Sequence, residues 1–223
     1  MLTYYLIGIV ALVGSLLVQG YLRSTYGKWS QRANSAQLTG RDTALAILRA
    51  NGITDVRVEA VQGTLTDHYD PTAKVVRLSK DNYARASVAG MAVAAHEVGH
   101  AIQHHKAYAP LKVRTALLPI ANIGSQFGPI LAVFGLILGQ GPNLLLNIGI
   151  ALFAAAVLFQ LVTLPIEFDA SRRAMNQMQA LGIVTPTDSG GARSVLNAAA
   201  LTYVAAAATA IGYLLYFLTA ARD

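Results

Sequence analysis

The segment His96-Glu97-Val98-Gly99-His100 combines residue types and a spacing that suit zinc chemistry. On an α-helix, positions i and i+4 lie one turn apart, so His96 and His100 are expected on one face, where two imidazoles can share one Zn2+. Zinc lowers the pKa of a bound water to about 7, and the carboxylate of Glu97 is placed to accept the proton. The pattern predicts one Zn2+ per chain, at a site that activates water for peptide hydrolysis.

The sequence around this motif argues against a chance match. Residues 86–95 are apolar and rich in small helix-forming side chains, so the motif is expected to lie in a buried helix. Two histidines and a glutamate in such a helix would be costly without partners, and a bound metal supplies one. The alternative is a polar helical face that binds no metal. The chain has no cysteine, so any metal must use histidine and carboxylate ligands.

A catalytic zinc usually takes three protein ligands plus water, which directs attention to the few acidic residues. Glu167 follows a long apolar segment, where an unpaired carboxylate would be expensive, and we predict it as the third ligand. The alternative is an acid that stabilises a helix N-terminus. Asp169 lies about 200° around a helix from Glu167, so both cannot face one metal. Asp169 therefore either orients a ligand histidine or forms an ion pair with Arg173.

The other histidines are weaker candidates. His68, within Asp67-His68-Tyr69-Asp70, is a possible transition-state support that would stabilise an oxyanion, whereas a turn-capping role is the simpler alternative. The extended metzincin pattern requires glycine at position 103 and histidine at position 106. This chain has Gln103 and Lys106 there, so the metzincin class is excluded.

Composition indicates a membrane protein. Of the 223 residues, 54% are hydrophobic and 13% are charged, a balance that few soluble domains show. Four segments are long and apolar enough to cross a bilayer, which takes about 20 residues. These segments are residues 2–22, 116–139, 144–166 and 197–221. The first lacks the basic start and the cleavage site of a signal peptide, so we predict a retained anchor.

The distribution of charge predicts the orientation in the membrane. Arg23, Lys28 and Arg32 follow the first span, whereas the residues before it are uncharged. By the positive-inside rule, the N-terminus lies outside and residues 23–115 are cytoplasmic. Continuing through four spans places all of the 17 Lys and Arg residues except Arg222 in cytoplasmic segments. We therefore predict a multi-pass protein of the cell (inner or plasma) membrane with a cytoplasmic active site. The net charge of +6 then requires no nucleic-acid partner.

The remaining patterns predict a mainly α membrane protein with about four transmembrane helices and a small α+β cytoplasmic region that is zincin-like. Alternating residues predict strands over 55–61 and 74–78, and a helix from about residue 82 to 105 carries the motif. Pro165 is expected to precede a separate helix over 167–181, and residues 185–191 read as a loop.

Five domains follow from these predictions. They are an N-terminal transmembrane anchor (1–23), a cytoplasmic region with the His-Glu-x-x-His helix (24–115), a transmembrane hairpin (116–166), a cytoplasmic helix with the third ligand (167–196) and a C-terminal transmembrane helix (197–223).

Four segments resemble the bacterial YugP-like family of neutral zinc metallopeptidases, which are multi-pass membrane proteins. The segments are 67–71, 75–79, 94–103 and 164–171, and the resemblance extends over nearly the whole chain. It implies a membrane-bound metalloendopeptidase of the gluzincin type, with His96, His100 and Glu167 as ligands and Glu97 as the catalytic residue. A more distant similarity is to HtpX-like and CAAX prenyl proteases, in which the aspartate lies four residues after the glutamate rather than two.

These observations together predict a zinc-dependent endopeptidase that cleaves proteins or peptides near the cytoplasmic membrane face, with Glu97 as general base. The expected partners are the lipid bilayer and such a substrate, and the sequence predicts no oligomeric state. The alternative is a non-catalytic membrane scaffold or regulator, in which His68 or Asp169 closes a structural zinc site. A metal transporter is disfavoured, because the first, second and fourth spans contain no acidic residue or histidine in their interiors.

Overall fold

The chain is mostly helical and contains one small β-sheet. A computed structural model describes residues 2–139 and 143–222. The elements in chain order are α1 (Leu2–Ser30), α2 (Gly40–Ala50), β1 (Arg57–Val61), β2 (His68–Asp70), β3 (Val75–Ser79), α3 (Lys80–Ala84), α4 (Val88–His105), α5 (Ala109–Leu138), α6 (Leu144–Ala180) and α7 (Pro186–Ala220).

Four of these helices, α1, α5, α6 and α7, are long and apolar enough to cross a membrane, which confirms the predicted number of candidate spans. Their ends differ from the prediction. Helix α6 continues through Pro165 to Ala180, where we expected a break, and α7 begins at Pro186, where we expected a loop. The fixed φ of proline is compatible with a helix, and at the first helical position its missing N–H would have been unpaired anyway.

The described backbone divides into two compact units, and the first contains most of the apolar helix length. It comprises the described residues within the ranges 1–18, 109–165 and 201–223. In this unit α5 and α6 pack closely, because Gly124 and Gly128 of α5 have no Cβ atom. A Cβ atom at these positions would collide with Leu152 and Phe153 of α6. Such close approach through small residues is usual between helices in membranes.

The second unit contains the sheet and comprises residues 19–108 and 166–200. Strand β3 is central, pairing in parallel with β1 and antiparallel with β2. The predicted strands over 55–61 and 74–78 correspond to β1 and β3. Strand β2 was not predicted, because its three residues precede Pro71 and read as a turn.

Helix α4, which carries the motif, lies in the core of the second unit. We expected one helix from about residue 82, but α3 ends at Ala84 and α4 begins at Val88. Ser87 causes the interruption, because its extended backbone pairs with Ala33 and its Oγ accepts a hydrogen bond from the Gly90 N–H at 3.0 Å. The buried side chains that cluster with those of α4 include Ile47 and Leu48 of α2, Leu78 of β3, Met178 of α6 and Val195 of α7.

Candidate metal centre

The structure brings His96, His100 and Glu167 together. One ligand atom from each residue lies within 4.8 Å of the others. Oε2 of Glu167 is 3.3 Å from Nε2 of His96 and 3.5 Å from Nε2 of His100. The two imidazole rings are nearly perpendicular, with centroids 4.8 Å apart. One carboxylate oxygen therefore faces two ring nitrogens across a space that an ion can share.

The Glu167 carboxylate provides an independent test of whether a metal fits this cluster. Glu167 is only 3% exposed, and its Oε2 has no hydrogen-bond partner within the described parts of the chain. A buried, unpaired carboxylate oxygen is costly. A divalent cation held by this oxygen and the two Nε2 atoms would satisfy it, and the donor set of two imidazoles and one carboxylate is one that zinc uses in catalytic sites. The residues present fit zinc.

Glu167 reaches the cluster from the interior of α6. The predicted alternative, an acid that stabilises a helix N-terminus, does not apply, because α6 begins at Leu144, more than six turns earlier. The approach of α6 to α4 is close, since Gly99 of α4 lies against the backbone of Ala170. The glycine of the motif thus lets the two helices meet near the place where Glu167 faces His96 and His100.

Each histidine is also held at its other ring nitrogen. Nδ1 of His96 lies 3.1 Å from Oγ of Ser171, and Nδ1 of His100 lies 3.0 Å from Oε1 of Gln103. Sequence reasoning did not identify Gln103 or Ser171 as members of the site. The available signal was spacing, since Gln103 follows His100 by three residues and Ser171 follows Glu167 by four, which places each pair on one helical face.

Asp169 makes the ion pair that one alternative predicted. Its carboxylate pairs with Arg173, as predicted, and also with Arg172. It also accepts a hydrogen bond from Nε2 of Gln103 at 2.9 Å, and through Gln103 it is connected to His100. Asp169 therefore contacts His100 only through the intervening Gln103 amide.

Glu97 lies on α4 directly after His96 and is 9% exposed. Burial raises the pKa of its carboxyl group above the ordinary value, against smaller opposing effects of His96 and His100. For His100, burial alone would lower the pKa, but the negative charge of the nearby Glu167 carboxylate raises it overall. The cluster thus contains two different carboxyl groups: that of Glu97, whose pKa is raised, and that of Glu167, for which burial alone would raise the pKa but the neighbouring imidazoles lower it overall.

His68 lies on β2 and is exposed. Its Nδ1 donates a hydrogen bond to the carbonyl oxygen of Thr66 at 2.8 Å, and its Nε2 is 3.4 Å from Nη1 of Arg77. The adjacent Tyr69 instead contacts α4, with its hydroxyl 2.8 Å from Nδ1 of His104. The described contacts of His68 are therefore within the sheet and its loop, which supports the turn-capping alternative.

Comparison with known proteins gives two matches that extend over almost the whole chain. A family model described as "Putative neutral zinc metallopeptidase" matches residues 4–222. The curated relative "Putative membrane protease YugP" of Bacillus subtilis (strain 168) is 46% identical over 209 residues, which are 94% of this chain and 92% of the relative. No solved structure matches the chain. Both α4 and the part of α6 that carries Glu167 lie within the residues matched by the family model.

Proposed function

Because the chain belongs to the neutral zinc metallopeptidase family, we propose that it is a membrane-bound, zinc-dependent endopeptidase of the gluzincin type. The observation that carries this proposal is the convergence of His96, His100 and Glu167, with an unpaired carboxylate oxygen facing two ring nitrogens. Glu97 lies beside this group on the same helix as the two histidines. The proposed metal ligands and base therefore occur in one cluster, in which Glu97 and Glu167 are buried and the two histidines are half-buried.

The proposed ligands are Nε2 of His96, Nε2 of His100 and the carboxylate of Glu167, holding one Zn2+ per chain. When bound, zinc supplies a Lewis acid that lowers the pKa of water and polarises a substrate carbonyl. The carboxylate of Glu97 accepts a proton from the attacking water and delivers it to the nitrogen of the leaving amine.

The remaining candidates receive supporting roles in this proposal. Asp169 positions Gln103, which in turn contacts His100. His68 stabilises the loop before β2 through its bond to Thr66, and we assign it no contact with the substrate.

We further propose that the N-terminus lies outside and that the active site faces the cytoplasm. Two features support this orientation: the basic residues after the first span and the near absence of basic residues from the segments assigned outside. Glu167 also lies on the same continuous helix as a candidate span. The proposed substrates are accordingly membrane proteins or peptides at the cytoplasmic membrane surface.

The function is tested with the full chain purified in detergent or lipid nanodiscs. Metal content is measured by mass spectrometry, and cleavage of fluorescein-labelled casein is followed before chelation, after chelation and after zinc is restored. We expect cleavage that is lost with the metal and recovered with it. Stoichiometric zinc with no metal-dependent cleavage of casein or of a membrane-protein substrate would instead favour the non-catalytic scaffold with a structural zinc.

A further inference from the structure

We propose that Gln103 is a positioning residue that fixes the tautomer of His100, leaving a lone pair rather than a proton on the Nε2 atom that faces Glu167. This assignment rests on the proposed zinc centre and deepens it. It concerns which ring nitrogen is ready to bind a metal before any metal arrives.

The orientation of the Gln103 amide follows from its neighbours. Its Nε2 lies 2.8 Å from the carbonyl oxygen of Ile166 and 2.9 Å from Oδ2 of Asp169. A backbone carbonyl can only accept, and an ionised carboxylate can only accept. Asp169 is held ionised by the guanidinium groups of Arg172 and Arg173. The amide nitrogen, which has two hydrogens, must therefore face these two acceptors.

The opposite end of the amide then dictates the state of the imidazole. Because the amide nitrogen of Gln103 faces Ile166 and Asp169, its Oε1, which can only accept, faces Nδ1 of His100 at 3.0 Å. The Nδ1 atom must be the donor in this bond. A neutral imidazole carries only one N–H, so Nε2 of His100 keeps its lone pair. An inverted amide would place its oxygen against two other acceptors and is disfavoured.

The surroundings hold the amide in place. Gln103 is fully buried, and its backbone carbonyl accepts a hydrogen bond from the Tyr108 N–H at 2.9 Å. The Arg173 guanidinium, which pairs with Asp169, lies over the Tyr108 ring at 5.6 Å. Because the Gln103 side chain is fully buried and its backbone carbonyl is hydrogen-bonded, the amide has no solvent-exposed orientation to adopt.

His96 lacks this constraint, which makes the two ligand histidines unequal. Its Nδ1 faces the hydroxyl of Ser171, and a hydroxyl can either donate or accept. Ser171 therefore tolerates both tautomers of His96, whereas Gln103 tolerates only one of His100. Replacing Gln103 should consequently affect metal binding more than replacing Ser171.

The first test is the tautomer itself, read in the metal-free, full-length protein with ¹⁵N-labelled histidine. At a pH where the nitrogen chemical shifts show a neutral ring, we expect the proton of His100 on Nδ1. A neutral His100 with its proton on Nε2 would overturn the proposal without any variant having to fold. This readout needs neither zinc nor catalysis, so it is separate from failure of the proposed function.

The second test is zinc affinity, measured by competition with a chromophoric chelator. We expect Gln103→Leu to weaken zinc binding by about 10- to 100-fold and to populate the other His100 tautomer, and Ser171→Ala to have a smaller effect. Asp169→Asn should weaken binding in the wild-type background and have no further effect beside Gln103→Leu, because Asp169 acts through Gln103. Equal losses for Gln103→Leu and Ser171→Ala, or additive losses for Asp169→Asn and Gln103→Leu, would contradict the assignment.

Discussion

Gly99 of α4 lies directly against the backbone of Ala170 in α6. A Cβ atom at position 99 would be 2.5 Å from the carbonyl oxygen of Ala170 and 3.1 Å from its Cα atom. Backbone cannot move aside as a flexible side chain can, so any larger residue at position 99 must separate the helices. Gly99 lies between His96 and His100 in sequence, and Ala170 follows Glu167 by three residues, so we expect this contact to set the distance between the histidines and the glutamate.

The variant Gly99→Ala should therefore damage the centre as well as the packing. We expect a loss of about 1–3 kcal/mol in the free energy of unfolding from overpacking and a lower zinc affinity, because α6 carries Glu167 away from the histidines. Thermal unfolding and chelator competition measure the two effects. The matched control is Gly190→Ala, since a Cβ on that helical glycine meets no atom within 4 Å. Wild-type zinc affinity in Gly99→Ala would show that this contact does not set the ligand geometry.

Glu97→Gln should separate metal binding from cleavage. The amide keeps the size of the side chain but cannot accept the water proton, so we expect peptidase activity to fall by at least about 100-fold while zinc content stays at one per chain. Both are measured on the same preparation, by casein cleavage and by mass spectrometry. Glu59→Gln is the control, because Glu59 is a surface residue paired with Arg57. Full activity in Glu97→Gln would exclude Glu97 as the base.

Glu167→Gln should remove the response of the protein to zinc. In the wild type, a ligand that binds only the folded state at 1,000 times its dissociation constant stabilises by about 4.1 kcal/mol, so zinc should raise the melting temperature. The variant loses a ligand and should lose most of this shift. An undiminished zinc-induced shift would rule out Glu167 as a ligand.

The absence of cysteine allows a test of orientation free of background. Thr64→Cys places a thiol in the segment assigned to the cytoplasm, and Arg222→Cys places one at the end assigned outside; both positions are exposed. We expect a membrane-impermeant maleimide to label Arg222→Cys in intact cells and Thr64→Cys only after permeabilisation. The reverse pattern would overturn the proposed orientation.

The parts of this protein that sequence predicted well are those governed by local periodicity and composition. The apolar lengths of the four long helices are visible without tertiary information, and the spacing of His96 and His100 specifies a shared helical face. Pro165 misled the interpretation, because a proline within a helix looks in sequence like one that ends it, and the loop predicted over 185–191 was wrong because α7 begins at Pro186. Whether a helix continues through a proline depends on the packing of neighbouring elements, which the local sequence does not show.

The supporting contacts of the centre were less accessible to sequence reasoning. Gln103 was considered only as a departure from the metzincin pattern, yet its amide joins His100 to Asp169. That connection exists because α4 and α6 cross at Gly99, a relationship between helices distant in sequence. The strand β2 was missed for a similar reason, since its three residues are strand-like only through pairing with β3.

The order of the two helices in the chain has a consequence for biosynthesis. The ribosome releases α4 with its paired histidines well before α6 is made, so a nascent chain that ends in α5 holds two imidazoles and lacks the carboxylate that faces them. Glu167, the backbone at Ala170 and Ser171 then arrive within five residues, about 6 Å of helix. The residues of the proposed centre are thus complete only once α6 has been made, and a chain truncated before α6 lacks the carboxylate that the proposed cleavage requires.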